Sequence, residues 1–181
     1  MSNSQPRREF LQQSLAAATL WSLIPDSLKA EEHRTNSLTL SQFTVDITPP
    51  EGHSLCGGWI TPVKDVTDEL QALGLILQGA GKPIVVMAID WTALSNGGHL
   101  LWRTKIAEAV GTTPERVAIH CVHQHNAPFA CLEAQAIVEA QGDLPHIVRL
   151  DYFHDCIDRI SRAAKESLTR LSPVTHVGKG E

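Results

Sequence analysis

Between Ala118 and Pro128 the chain reads Ala-Ile-His-Cys-Val-His-Gln-His-Asn-Ala-Pro, a short apolar stretch that ends in His-x-His and is closed by a proline. A strand repeats its facing every second residue, so the spacing predicts that His123 and His125 share a face, with Cys121 behind them. Two imidazoles on one face form half of a metal site, and neutral imidazole is a good ligand for zinc. Pro128 has no N–H to give to a sheet ladder. The strand is therefore expected to stop there and leave both rings at its open C-terminal end, where α/β proteins carry their chemistry. His120 is offset from His123 by an odd number of residues and is expected on the opposite face, which argues against a three-histidine cluster. The competing reading of His123 and His125 is a pair of exposed loop histidines.

Hydrophobic periodicity outlines the elements that must hold this segment. Phe43, Val45 and Ile47 alternate with polar residues and end at Thr48-Pro49-Pro50, which predicts a half-buried strand. Gly52, Gly57 and Gly58 mark a turn-rich loop after it. Leu70 to Leu77 reads as a second strand, closed by Gly79 and Gly81. Pro83 to Ile89 is almost unbroken apolar sequence and reads as a central strand covered on both faces, ending at Asp90. Gly97 and Gly98 open a helix that carries Trp102, Ile106 and Val110 on one face and stops at Gly111. Thr112 and Glu115 have capping-box spacing around Pro114, which predicts a brief helical turn before a strand from Val117 to Val122. Strand, helix and strand in this order predict a crossover and a parallel pair. Cys131 to Gln141 is weakly helical and is broken by Gly142 to Pro145. The most regular helix runs from Leu150 to Leu171, with Phe153, Ile157, Ile160, Ala164, Leu168 and Leu171 on its apolar face. Pro173 ends it, and Val174 to Val177 begins another strand.

Length and composition bound the function. The 181 residues suffice for one domain with a real core, and 43% hydrophobic with 19% charged residues describes an ordinary globular protein. A formal net charge of −5 leaves no basic footprint, so nucleic acid is not an expected partner. Residues 1–30 read as an export signal of the twin-arginine type: Arg7-Arg8-Glu9-Phe10-Leu11 precedes an apolar stretch from Leu15 to Ile24, with a possible cleavage site near Ala30. That stretch is too short for a membrane span, and the expected location is periplasmic or secreted. Residues 31–37 form a polar linker, and residues 38–181 the domain. The four cysteines, Cys56, Cys121, Cys131 and Cys156, would meet an oxidising compartment and allow three full pairings. They contain no C-x-x-C, and Cys121 reads as a small core residue.

With the apolar strand ending in Asp90, the helix after it and the Val122 to Pro128 motif in order, the chain resembles the N-terminal catalytic domain of the neutral/alkaline non-lysosomal ceramidase family. That family carries Thr-His-Thr-His-Ser-Gly-Pro at the end of an apolar strand. Val45 to Pro50, the Gly57-Gly58 loop and the helix leading to the segment Pro173 to Gly178 are similar in order and spacing, so the resemblance spans the mature chain. The fold it implies is α/β, with a mixed or mostly parallel sheet flanked by helices, incomplete relative to the family domain. The implied activity is zinc-dependent hydrolysis of the N-acyl bond of ceramide (N-acylsphingosine) or a related lipid amide. By motif position His123 would be a zinc ligand, and His125 would lie beside the metal, binding substrate or stabilising the transition state. Asp90, at the end of the adjacent strand, could orient a ligating ring through its second nitrogen; an Asp after an apolar strand also commonly just begins a turn.

The motif departs from the family pattern at Val122, Gln124, Asn126 and Ala127, so the groups around the metal differ. The resemblance also implies that a second His, a Glu, a Tyr and a nucleophilic Ser come from regions beyond Glu181. The chain accordingly reads as an N-terminal fragment or truncated reading frame, inactive alone. The alternative reading is an exported non-catalytic protein that keeps the fold and binds metal or a partner. His33, His53, His99, His146, His154 and His176 receive no functional role, and Asp46 reads equally as the solvent face of an edge strand. Trp59 and Trp91 follow candidate strand ends and read as core residues rather than as the lining of an acyl pocket. A metallo-β-lactamase site would need Asp and His where Ala127 and Pro128 stand, and an amidohydrolase barrel would need many more residues.

Overall fold

The computed structural model describes residues 37–180. The export signal read over residues 1–30 and nearly all of the linker lie outside the described residues. Seven strands are present among them: β1 (Thr39–Asp46), β2 (Gln71–Gln78), β3 (Ile84–Ile89), β4 (Ala93–Leu94), β5 (Val117–Cys121), β6 (Phe129–Ala130) and β7 (Ser172–Pro173). The helices are α1 (Asn96–Val110), α2 (Leu132–Glu139) and α3 (Leu150–Ser167).

The main sheet has the order β5-β3-β2-β1-β7. The expected parallel pair is present: Val85 to Ile89 of β3 register with Val117 to Cys121 of β5, joined by the α1 crossover. The other pairings, β1 with β2, β2 with β3 and β1 with β7, are antiparallel. The α/β sheet is thus mixed and mostly antiparallel, the mixed rather than the mostly parallel form of the expectation.

One face of this sheet is packed. In β3, Val85, Met87 and Ile89 are 0%, 1% and 0% exposed, whereas Ile84 and Val86 are 41% and 38% exposed. The expectation of a strand covered on both faces is corrected here: an unbroken apolar run fits either case, and among the described residues α1 and α3 join the core on one side only. Under them Trp91, Trp102 and Phe153 form the centre of the core, with Trp91 and Trp102 ring centroids 4.9 Å apart and Trp102 and Phe153 5.8 Å apart. Such aromatic pairs contribute about 0.5–1.5 kcal/mol beyond their buried area. Trp91 lies two residues beyond the end of β3, so its burial anchors the backbone leading into Thr92.

Several boundaries differ from the sequence reading. The first helix is capped as expected by Gly111 in the left-handed conformation (φ 74°). Thr113, not Thr112, occupies the N-cap position of the short turn Pro114–Arg116, without a side-chain cap hydrogen bond; the Thr112 hydroxyl donates to the Pro83 carbonyl. Helix α3 ends at Ser167 rather than Leu171, and the final strand pairing involves Ser172 and Pro173 rather than Val174 to Val177. No helix among the described residues is long and apolar enough to cross a membrane.

Candidate functional site

The His-x-His segment is an excursion from a strand rather than a strand. Strand β5 stops at Cys121, but its pairing continues one step as Val122 N–H donates to Ile89 O (3.1 Å) and His123 N–H to Trp91 O (3.1 Å). At His123 the backbone turns to φ 68°, a left-handed conformation uncommon for a residue with a Cβ, though less so for His than for most. The chain then loops out and returns to the same partner: Thr92 N–H donates to Pro128 O (2.9 Å), and β6 runs parallel to β4. Residues 123–127 therefore bulge from the C-terminal ends of the parallel pair. The two histidines lie beyond the C-terminal ends of the pair and line the same cavity, as expected, but on a loop rather than on the strand itself.

Thr92 holds the bulge from inside. Its buried hydroxyl lies 2.7 Å from Gln124 O and 3.0 Å from Ala127 O, sharing one proton between two loop carbonyls. Its own carbonyl lies 2.7 Å from His123 Nδ1. A carbonyl only accepts, so Nδ1 carries the proton and the lone pair is left on Nε2. This is the arrangement common in metal-ligating histidines, where a carbonyl or carboxylate on one nitrogen fixes the tautomer and aims the other. The His125 ring stands edge-on to His123 with centroids 5.2 Å apart. Both side chains are exposed.

The two histidines open onto a different cavity from Gln124 and Asn126. His123 and His125 line one of about 360 Å³ together with Trp59, Phe129 and Ile147. Gln124 and Asn126 line another, of about 600 Å³, with Asp90, Asp65, Asp68 and Glu69. Asp90 is thus not brought to the histidine rings: its Oδ2 accepts the Gln71 N–H (2.8 Å), which ties the end of β3 to the start of β2. The group that orients His123 is the Thr92 carbonyl. Residue type carries no signal for it, since every residue has a carbonyl.

The walls of the apolar cavity were also differently assigned by sequence. Trp91 is core, as expected, but Trp59 is 85% exposed and stands at the cavity rim. It follows a tight turn in which Cys56 and Gly57 both have positive φ (48° and 67°), with the Phe129 ring 3.6 Å from where a Cβ on Gly57 would sit. Cys56 N–H donates to Ala127 O (2.8 Å), joining this turn to the histidine bulge. All four cysteines are free. Burial pushes the Cys121 thiol up to about 11, so it is protonated near neutral pH and no ready ligand. Among the described residues no group of three or more His, Cys, Asp or Glu side chains is placed to hold a metal ion. His123, with its oriented Nε2, fits a zinc ligand, and His125 stands next to it; a catalytic zinc normally takes three protein ligands.

No family model matches the chain, and no curated protein matches it by sequence. Among solved structures it is similar to the neutral ceramidase from Pseudomonas aeruginosa, with a TM-score of 0.53 and 15% identity over 76% of this chain and 22% of that one. A ceramidase complexed with C2 is similar to the same extent, with a TM-score of 0.53, 16% identity and the same coverage. The described domain has a ceramidase-like fold, and the chain spans about 22% of the length of these neighbours.

Proposed function

We propose that this chain carries the first part of the active site of an exported, zinc-dependent amide hydrolase acting on N-acyl amides with an apolar acyl group. The observation that supports this most directly is the fixed tautomer of His123, which aims a free Nε2 outward next to His125 at an apolar cavity. His123 would hold the metal. His125, on the same side of the bulge, would bind the substrate amide, and Trp59, Phe129 and Ile147 would receive the acyl group. Bound zinc polarises an amide carbonyl and lowers the pKa of a bound water. The remaining ligands would come from polypeptide outside this sequence, so the isolated chain would bind such an amide without hydrolysing it. The shortage of a third ligand among the described residues favours one other reading, a non-catalytic protein that keeps the fold and binds metal through the same two histidines.

Calorimetric titration of the chain with a short-chain N-acyl amino alcohol tests the substrate assignment. The expected result is saturable binding that Trp59→Ala weakens about tenfold, or about 1.4 kcal/mol. No binding, or equal binding by the variant, would contradict it.

A further inference from the structure

The two loops that wall the apolar cavity are fastened to each other by a fully buried histidine that the proposed chemistry does not use. His53 is 0% exposed and packs edge-on against Tyr152, with ring centroids 4.8 Å apart. Its Nδ1 lies 2.6 Å from the Ser54 carbonyl and therefore carries the proton; its Nε2 accepts the Arg149 backbone N–H at 3.3 Å. Next to it the Ser54 hydroxyl donates to the His146 carbonyl. His146 is held in turn by Gln135, which is itself fully buried. The Gln135 carbonyl oxygen accepts from Ile147 N–H (2.8 Å) and Val148 N–H (3.1 Å), so its amide nitrogen is the group that donates to His146 Nδ1 (3.0 Å). Three residues past His53 the first loop supplies Cys56, Gly57 and Trp59 to the cavity, and one residue past His146 the second supplies Ile147.

We propose that His53 is a proton-operated latch: neutral, it clamps the loop of residues 51–59 to the segment 146–149, and protonation at Nε2 releases the clamp and opens the cavity beside His123 and His125. A proton on Nε2 would set one N–H against the Arg149 N–H and abolish the hydrogen bond between them. The charged and titratable groups that act on the ring are Arg149, and His146 when it carries a charge, which oppose its protonation, and Asp151, which favours it; Arg149 and Asp151 are themselves paired at 2.6 Å. Burial, the largest influence, holds the His53 ring below the ordinary imidazole range. The sign follows: a folded-state value below the unfolded one means the closed form is fully favoured above the ordinary imidazole value and loses ground as pH falls beneath it. As regulation of a substrate site the device rests on the amide hydrolase reading; as a pH-dependent opening of two loops it does not.

Amide hydrogen exchange on the full chain, at about pH 7.5 and about pH 5 and corrected for intrinsic exchange, reads the latch directly without metal or substrate. Protection of residues 51–59 and 146–149 is expected to fall about tenfold more than that of the α3 core between the two conditions, and His53→Gln is expected to remove this difference. The proposal is overturned if the loops follow α3, or if His53→Gln keeps the same pH response. Imidazole nitrogen NMR of the unaltered chain adds a readout that needs no variant: a His53 ring still neutral at the pH where the loops open would overturn it as well.

Discussion

At the scale of single residues, Thr92 does more to define the site than either of the residues whose types drew attention to it. Its carbonyl sets the His123 tautomer, and its hydroxyl bridges two carbonyls of the bulge. Thr92→Val keeps the shape and the carbonyl but removes the hydroxyl, taking this donor from Gln124 O while Ala127 O keeps the Cys56 N–H. The expected loss is about 1–3 kcal/mol of unfolding free energy, measured by urea denaturation, with the β3 core otherwise intact. A loss under about 0.5 kcal/mol, the range of ordinary surface substitutions, would mean that the bulge is held by other means. Sequence reasoning found His123 and His125 because imidazole spacing is a matter of residue type. By residue type it also points to Asp90 as the orienting group, while the Asp90 carboxylate accepts the Gln71 N–H and lines a different cavity, and the orienter is a backbone atom. A lone histidine such as His53 carries in the sequence no sign of its burial or of the two bonds that fix its ring.

At the scale of elements, the register of β1 against β2 depends on one glycine. Phe43 stands opposite Gly74, and its ring occupies the space of the missing side chain: a Cβ on Gly74 would lie 2.1 Å from Phe43 Cζ. Gly74→Ala is therefore expected to destabilise the domain by about 1–3 kcal/mol through overpacking, and Phe43→Leu in the same chain to recover part of that loss. Equal denaturation midpoints for the native chain and Gly74→Ala would refute the account of this pair. The strands, the crossover and the parallel pair were legible because apolar periodicity, glycine caps and proline stops all agree in residues 70–121. The excursion of residues 123–127 was not, since the alternation of Cys121, His123 and His125 continues a strand pattern by type while the positive φ of His123 breaks it in fact. The ends of α3 and β7 were misjudged for a similar reason: Leu168 and Leu171 keep the helical spacing after the helix has stopped at Ser167.

For the described residues as a whole, one face of the main sheet is packed, and the histidine loop lies at the C-terminal ends of its parallel pair, beside the small β4-β6 sheet. Helices α1 and α3 pack against one side, and Leu73, Ile84 and Val86 are exposed on the strands of the other. The chain spans about 22% of the length of the similar chains, and among the described residues one oriented imidazole, His123, stands beside His125 with no group of three or more His, Cys, Asp or Glu side chains placed to hold a metal ion. Composition could bound the size of the domain, but it could not reveal which face would be left open. The proposal places a metal on His123 with His125 beside it. The measurement that tests it most directly is a zinc titration of the full chain followed by the nitrogen resonances of each imidazole. The account predicts that zinc shifts His123 Nε2 and His125, leaves His123 Nδ1 hydrogen-bonded to Thr92, and no longer affects His125 in His123→Ala. An unmoved His123 Nε2 in excess zinc, or a His125 response that survives in His123→Ala, would contradict it.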